Sequence, residues 1–205
     1  MIGTVLAELG YAKTGRMAIN AAGFPNSTTF HTMNRQCSSS LQALTHIAHS
    51  ILVGQNDVGI AGGAESMTRN YATKGIPVDV SPALKESPIK DARDCLMPML
   101  QTSENVAQRY NVGRKEQDEF AVESQRRAVE AQKSGRFADE IVPINARHIN
   151  AETKEETTKL VDKDEGVRQG VTLEKLSALK PVLENGFSTA GNSYAPFSIY
   201  HSNDN

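Results

Sequence analysis

The chain has 205 residues, a formal net charge of -2 at pH 7 and 39% hydrophobic residues, which is enough for one domain or slightly more with a hydrophobic core. The near-neutral charge gives no electrostatic reason to expect binding to nucleic acid or to an anionic membrane. No apolar run approaches the roughly 20 residues of a membrane-spanning helix, and the first residues lack the pattern of a signal peptide. The two cysteines, Cys37 and Cys95, have no metal-ligand spacing and form no disulfide framework, which indicates a reducing compartment.

The first third of the chain alternates between helical and strand patterns. Residues 14–20 are predicted as a short helix, and the β-branched and aromatic residues at 28–33 predict a strand. Apolar residues at helical spacing then predict a helix that ends near Val53, and residues 57–64 read as a buried strand that runs into a glycine turn. This order of strand, helix and strand is typical of a βαβ unit, so we expect an α/β sandwich.

The remainder is predicted to be mostly helical. Prolines, glycines and scattered charges at 70–94 indicate an excursion away from the sheet. After this excursion the pattern predicts helices at 102–111, 114–134 and 173–179, a strand at 140–144, and a solvated polar loop at 152–166.

Cys37 is the main candidate for a catalytic residue. It lies between the predicted strand at 28–33 and the predicted helix that follows, in a turn where residues 34–39 read Asn-Arg-Gln-Cys-Ser-Ser. Unpaired backbone N–H groups and the positive end of the helix dipole favour a thiolate over a thiol at such a position. Because a thiolate is a strong nucleophile, the position indicates covalent catalysis by cysteine.

The alternative is that Cys37 only fills space, since free cysteine is among the most buried residue types. We expect Cys95 to be such a core residue. Three histidines, His31, His46 and His49, are candidate partners for the Cys37 thiol. However, His46 and His49 lie about two to three turns into the helix, too far from the sulfur to touch it, so we expect both to be partly exposed.

Five segments stand out in chain order: Asn-Arg-Gln-Cys-Ser-Ser at 34–39, Gly-Gly-Ala-Glu-Ser-Met-Thr at 62–68, Thr-Ser-Glu-Asn-Val-Ala at 102–107, Arg-Lys-Glu-Gln-Asp-Glu-Phe-Ala at 114–121 and Thr-Ala-Gly-Asn-Ser at 189–193. Together and in this order, they resemble the motifs of the thiolases. Two smaller segments, Asp-Cys-Leu-Met-Pro-Met at 94–99 and Gly-Val-Arg at 166–168, are most similar to peroxisomal 3-ketoacyl-CoA thiolases, particularly fungal ones.

The resemblance implies a fold, a reaction and partners. The fold would be part of a layered α-β-α sandwich with a mostly helical loop domain. The reaction would be thiolytic cleavage of a 3-ketoacyl-CoA in fatty-acid β-oxidation, with Cys37 as nucleophile, Met99 lining the acyl pocket and coenzyme A as co-substrate. No bound cofactor and no metal are implied. The expected assembly is a homodimer formed through residues 57–64, and the expected compartment is the peroxisome, although the chain carries no targeting signal.

The resemblance also predicts that the chain has three segments, and the sequence departs from the family pattern at several positions. Residues 1–69 would be part of the N-terminal core with the nucleophile turn, 70–188 the loop domain, and 189–205 a return segment with a tail that leaves the family pattern at Tyr194. Ser40 and Leu100 stand where the family usually has glycine, and Tyr194 where a small serine meets the pantetheine arm.

Three family segments are absent from these 205 residues: a Gly-His-Pro turn, an Asn-Glu-Ala-Phe segment and a Cys-x-Gly turn. We therefore expect a chain truncated at both ends that does not turn over alone. The alternative is a non-catalytic fragment that associates with other chains. A related condensing enzyme such as a ketosynthase is a third interpretation, which the Gly-Gly-Ala-Glu-Ser-Met turn and the loop-domain helices disfavour.

Overall fold

The structure is a computed structural model that describes residues 1–6, 11–67, 70, 79–150 and 152–193. The chain forms two compact units, Met1–Glu86 and Ser87–Asn205. The predicted segment boundaries after residues 69 and 188 rest on family motifs and remain predictions. None of the described helices combines the length and the apolarity needed to cross a bilayer.

The first unit contains a small parallel sheet with the helix that follows Cys37 packed against it, which confirms the predicted α/β class. The strands are much shorter than the patterns at 28–33 and 57–64 predicted, because only two residues of each pattern pair with the sheet. The described elements are β1 (Ile2–Gly3), α1 (Tyr11–Ala21), β2 (Thr32–Met33), α2 (Ser39–Leu52), β3 (Gly62–Gly63) and α3 (Pro82–Lys85). The sheet order is β2-β1-β3, with both neighbours parallel to the central strand.

Helix α2 begins directly against this sheet. Ile2 in the central strand pairs with Thr32 on one side and with Gly62 on the other. A Cβ atom at Gly3 would overlap the backbone of Ser39, the first residue of α2. The absence of a side chain at Gly3 therefore allows the first turn of α2 to pack on the backbone of β1, which fixes where the helix starts.

Gly63 in β3 accommodates the next residue of the helix. A Cβ atom at Gly63 would overlap the hydroxyl of Ser40. Ser40, which departs from the glycine usual in the resembling family, thus fits because the facing strand carries no side chain at this point.

The second unit is mostly helical and carries one antiparallel hairpin. The helices predicted at 102–111, 114–134 and 173–179 are present within a few residues of those bounds, and Thr172 caps the last one by accepting a hydrogen bond from the Lys175 N–H at 3.3 Å. The described elements are α4 (Lys90–Asp94), α5 (Met99–Tyr110), α6 (Arg114–Lys133), β4 (Ile144–Ile149), β5 (Glu156–Val161) and α7 (Leu173–Ser177).

The prediction of a solvated loop at 152–166 was wrong, because β5 lies inside it and pairs with β4 in a six-residue antiparallel ladder. The strand predicted at 140–144 begins only at Ile144. Both strands are exposed along most of their length, so neither shows the alternation of apolar and polar residues that identifies a half-buried strand.

Candidate active site

Cys37 lies in a tight turn between β2 and α2, two positions before Ser39, and its side chain is exposed. The predicted order of strand, turn and helix is therefore present. The thiol is open to solvent instead of filling space in the core, so a reactant can reach the sulfur.

The residue before the cysteine adopts an unusual backbone conformation. Gln36 has φ of 50°, in the left-handed region that costs an L-residue about 1–2 kcal/mol. The side-chain oxygen of Asn34 accepts a hydrogen bond from the Gln36 N–H at 2.9 Å. This short side-chain turn offsets part of the cost and directs the chain into Cys37.

Ser39 closes the turn from the helix side. Its hydroxyl accepts from the Arg35 N–H at 2.8 Å and donates to the Gln36 carbonyl at 2.6 Å. The side chain is only 3% exposed, so these bonds are shielded from competing water. The backbone adds bonds from Ser38 N–H to Arg35 carbonyl at 3.2 Å and from Ser39 N–H to Gln36 carbonyl at 3.0 Å. Bonds to both the N–H and the carbonyl of Gln36 thus hold the turn.

The turn is also tied to the residues that follow β1. The side-chain amide of Asn34 donates to the Val5 carbonyl at 3.1 Å. One carboxylate oxygen of Glu65 accepts from the N–H groups of Val5 and Leu6 at 2.8 and 3.0 Å. Its other oxygen accepts from Ser66 N–H at 3.1 Å. Burial alone would raise the pKa of Glu65, but the hydrogen bonds from Val5, Leu6 and Ser66 outweigh this and hold the pKa below its ordinary value.

The histidines of this unit are exposed. His46 and His49 lie on the outer part of α2, as predicted. Partial burial, the positive N-terminal amino group and His46 together lower the pKa of His31. His31 lies just before β2, and its carbonyl accepts from Ile2 N–H at 3.1 Å.

The two other candidates belong to the second unit. Met99 is the first residue of α5 and is 73% exposed; its predicted role in the acyl pocket remains a prediction. Cys95 is exposed, and its thiol donates to the Asp91 carbonyl at 3.4 Å, so the prediction that it is a core residue was wrong. Cys95 follows a short surface helix that buries little apolar area. Tyr194 lies outside the described residues.

A buried carboxylate joins the third predicted motif to the two residues just before the fifth. Glu104 in α5 is 2% exposed and accepts hydrogen bonds from the N–H groups of Phe187 and Ser188 at 2.7–3.0 Å. Burial would raise the pKa of Glu104, but these bonds outweigh it and lower the pKa. The hydroxyls of Ser103 and Ser188 lie 3.1 Å apart beside it.

A second buried carboxylate joins the fourth motif to the fifth. Asp118 in α6 is fully buried; it accepts from the Arg114 Nε at 2.8 Å and from the Asn192 side-chain amide at 2.9 Å. Asn192 in turn accepts from Thr189 N–H at 2.7 Å. The same guanidinium donates to the Leu176 carbonyl at 2.6 Å, which anchors α7. Motifs far apart in the sequence thus form one hydrogen-bonded core, which sequence patterns alone do not predict.

Within the described ranges, no cluster of three or more histidine, cysteine, aspartate or glutamate side chains could hold a metal ion. At the turn itself, the exposed Cys37 thiol is the reactive group.

The chain is similar to proteins of one family along almost its whole length. The family model for the thiolase N-terminal domain matches residues 1–195. The chain is 46% identical over 195 residues to the peroxisomal 3-ketoacyl-CoA thiolase 1 of Arabidopsis thaliana, which covers 94% of this chain and 43% of that protein. It is 42% identical over 192 residues to the peroxisomal 3-ketoacyl-CoA thiolase B of Candida tropicalis, covering 94% and 46%. The predicted resemblance to peroxisomal 3-ketoacyl-CoA thiolases, fungal ones included, is confirmed, although the plant enzyme is 46% identical and the fungal one 42%.

A solved structure matches the fold. The 1.8 Å crystal structure of the dimeric peroxisomal thiolase of Saccharomyces cerevisiae superposes with a TM-score of 0.80 at 40% identity, covering 93% of this chain and 46% of that one. The chain spans less than half the length of these relatives. With a family model matched over residues 1–195, the chain belongs to the thiolase family and carries its N-terminal domain.

Proposed function

We propose that this chain carries the nucleophile of a thiolase-type acyltransferase that cleaves a 3-ketoacyl-CoA into acetyl-CoA and a shortened acyl-CoA. The observation that carries the proposal is the exposed Cys37 in a hydrogen-bonded turn directly before α2. Membership of the thiolase family supports assigning that thiol to acyl transfer. The peroxisome is the proposed compartment, because the similar curated thiolases are peroxisomal.

The reaction that we propose has two stages. The Cys37 thiolate adds to the 3-keto carbon, and the carbonyl oxygen takes the negative charge. The carbon–carbon bond next to it then breaks, so that the acyl group stays on sulfur and the acetyl-CoA carbanion leaves and takes up a proton. In the second stage the thiolate of free CoA adds to the acyl carbon, and the Cys37 thiolate leaves as the new thioester forms.

Three further roles belong to the proposal. The Cys37 backbone N–H would donate to the oxyanion of each tetrahedral intermediate, where such a donor stabilises developing charge. Met99 would line the acyl pocket, as the family resemblance implies. Coenzyme A would be the co-substrate, with no metal or bound cofactor taking part.

We propose that these 205 residues alone do not complete turnover. The sequence contains no Gly-His-Pro, whose histidine would activate the nucleophile, and no Cys-x-Gly, whose cysteine would exchange the proton. Without a positioned general acid and base, the cleavage of the carbon–carbon bond loses the large acceleration that proton transfer supplies.

A simpler partial reaction tests the proposal. Transfer of an acetyl group from acetyl-CoA to Cys37 exchanges one thioester for another: the new C–S bond forms, the CoA thiolate leaves, and it takes the proton that Cys37 gave up. Peptide mass spectrometry after mixing should find acetyl on Cys37, with none in Cys37→Ser and an undiminished amount in the matched variant Cys95→Ser. Equal labelling of both cysteines, or no label on Cys37, would refute the assignment.

An alternative is supported by the apolar surface of the first unit: a non-catalytic piece that associates with other chains. Leu41 and Leu44 on α2 are 66% and 56% exposed, and Val58 and Ile60 before β3 are 85% and 64% exposed. Exposed apolar side chains of this size in one unit support a surface that another chain covers. We propose that association, including a homodimer, uses the segment 57–64.

A further inference from the structure

We propose that Asn34 is a positioning residue that couples the nucleophile turn to the sheet, and this role rests on the function proposed above. Among the described residues, its side chain bonds both Gln36, the residue before Cys37, and Val5, which follows β1. Its oxygen accepts from Gln36 N–H, and its amide donates to the Val5 carbonyl.

The inner bond, from the Gln36 N–H to the Asn34 side-chain oxygen, acts on the strained residue Gln36. Gln36 with φ of 50° has less strained alternatives in the ordinary regions for an L-residue. Any relaxation of Gln36 would turn the peptide that enters Cys37 and swing the thiol away from the first turn of α2. The hydrogen bond from Gln36 N–H to Asn34 at 2.9 Å opposes that relaxation.

The outer bond, from the Asn34 side-chain amide to the Val5 carbonyl, ties the turn to the sheet. The Val5 carbonyl accepts from Asn34, while the Val5 N–H is held by the Glu65 carboxylate at 2.8 Å. Glu65 follows β3, which pairs with the other side of β1. The chain of bonds therefore runs from β3 through β1 to the turn, and it connects the second predicted motif with the first.

Three substitutions separate these bonds. Asn34→Ser keeps a short acceptor for Gln36 N–H but does not reach Val5, whereas Asn34→Ala removes both bonds. Glu65→Gln weakens the hold on Val5 without touching the turn. Asn145→Ser is the matched control, because Asn145 is exposed on β4 in the other unit.

The first readout is the rate at which iodoacetamide alkylates Cys37 relative to the exposed Cys95 of the same molecule. We expect this ratio to fall about tenfold in Asn34→Ala and about threefold in Asn34→Ser and in Glu65→Gln, the size expected for losing two hydrogen bonds or one. The Asn34→Ser and Glu65→Gln losses should not add in the double variant, since both act through Val5. Asn145→Ser should leave the ratio unchanged.

The second readout is acetyl transfer from acetyl-CoA to Cys37. A positioning role predicts a lower maximal rate with an unchanged half-saturating concentration. An unchanged alkylation ratio in both Asn34 variants would overturn the inference, as would equal losses at Cys37 and Cys95, which indicate general unfolding. A wild-type chain that fails to accept acetyl while its ratio still depends on Asn34 would refute the proposed function and leave the positioning role standing.

Discussion

The two units differ in the residues that they bury. In the second unit, the buried carboxylates of Glu104 and Asp118 are fully hydrogen-bonded by residues of the same unit. In the first unit, α2 buries Ala43 but leaves Leu41 and Leu44 more than half exposed. The second unit thus builds its interior around hydrogen-bonded carboxylates, whereas the helix after Cys37 in the first unit buries only the small residues Ser39 and Ala43. Both units leave large apolar side chains exposed, as at Leu44 and Phe120.

This difference bears on how the site is built. The turn at Cys37 is held by local hydrogen bonds and by Gly3, and these contacts do not depend on covering the apolar side of α2. The thiol can therefore be positioned even where the helix behind it is exposed to water. The position of the thiol and the stability of the unit therefore depend on different contacts.

The largest effect is expected from breaking the polar core of the second unit. Asp118→Asn should lower the free energy of unfolding by about 3 kcal/mol, because it leaves the partly buried Arg114 guanidinium without its counter-charge. Urea unfolding followed by circular dichroism measures this loss. Glu119→Gln is the matched control, since Glu119 pairs with Lys115 at the surface of the same helix and should change little. Equal losses in both variants would contradict the role given to burial.

A smaller effect is expected at Glu104. Glu104→Gln should cost about 2 kcal/mol at pH 7, because the carboxylate accepts from the Phe187 and Ser188 N–H groups and an amide does so less well. The folded pKa of Glu104 lies below its ordinary value of 4.5. Its contribution is therefore complete above that ordinary value and is lost as the pH falls through the folded pKa. Unfolding curves of wild type and variant should converge at low pH; a constant difference would exclude ionisation as the cause.

The smallest effect on stability is expected on the exposed side of the first unit. Leu44→Gln should change the free energy of unfolding by no more than about 0.5 kcal/mol, as is usual for surface positions. It should nevertheless shift the chain toward monomer in sedimentation analysis. Phe120→Gln is the matched control, since Phe120 is 77% exposed in the second unit. Association that persists in Leu44→Gln and disappears in Phe120→Gln would locate the contact surface in the other unit.

Helix positions were predictable because apolar periodicity and caps such as Thr172 are local signals. The buried side of a helix was less predictable. In α6, Asp118 is fully buried while Phe120, two residues later, is exposed. The β4–β5 hairpin was missed because its pairing depends on backbone bonds between two exposed strands and leaves no apolar pattern.

The turn at Cys37 was predictable from the strand and helix patterns on either side. Its inner bond also has a local signal, since an asparagine two residues before Gln36 favours a side-chain turn. The link from Glu65 to Val5 has no such signal, because the two residues are 60 positions apart and meet only through the pairing of β1 with β3. Tertiary contact, not local preference, completes this part of the site.

The central claim is that the folded turn makes Cys37 the acyl-accepting thiol. The most direct test is acetyl transfer from acetyl-CoA to the folded chain and to the same chain in urea, with Cys37 and Cys95 quantified in each sample by peptide mass spectrometry. We predict that Cys37 takes at least about ten times more acetyl than Cys95 in the folded chain and that the two become equal in urea. Equal labelling in the folded chain, or a preference for Cys37 that survives unfolding, would contradict the account.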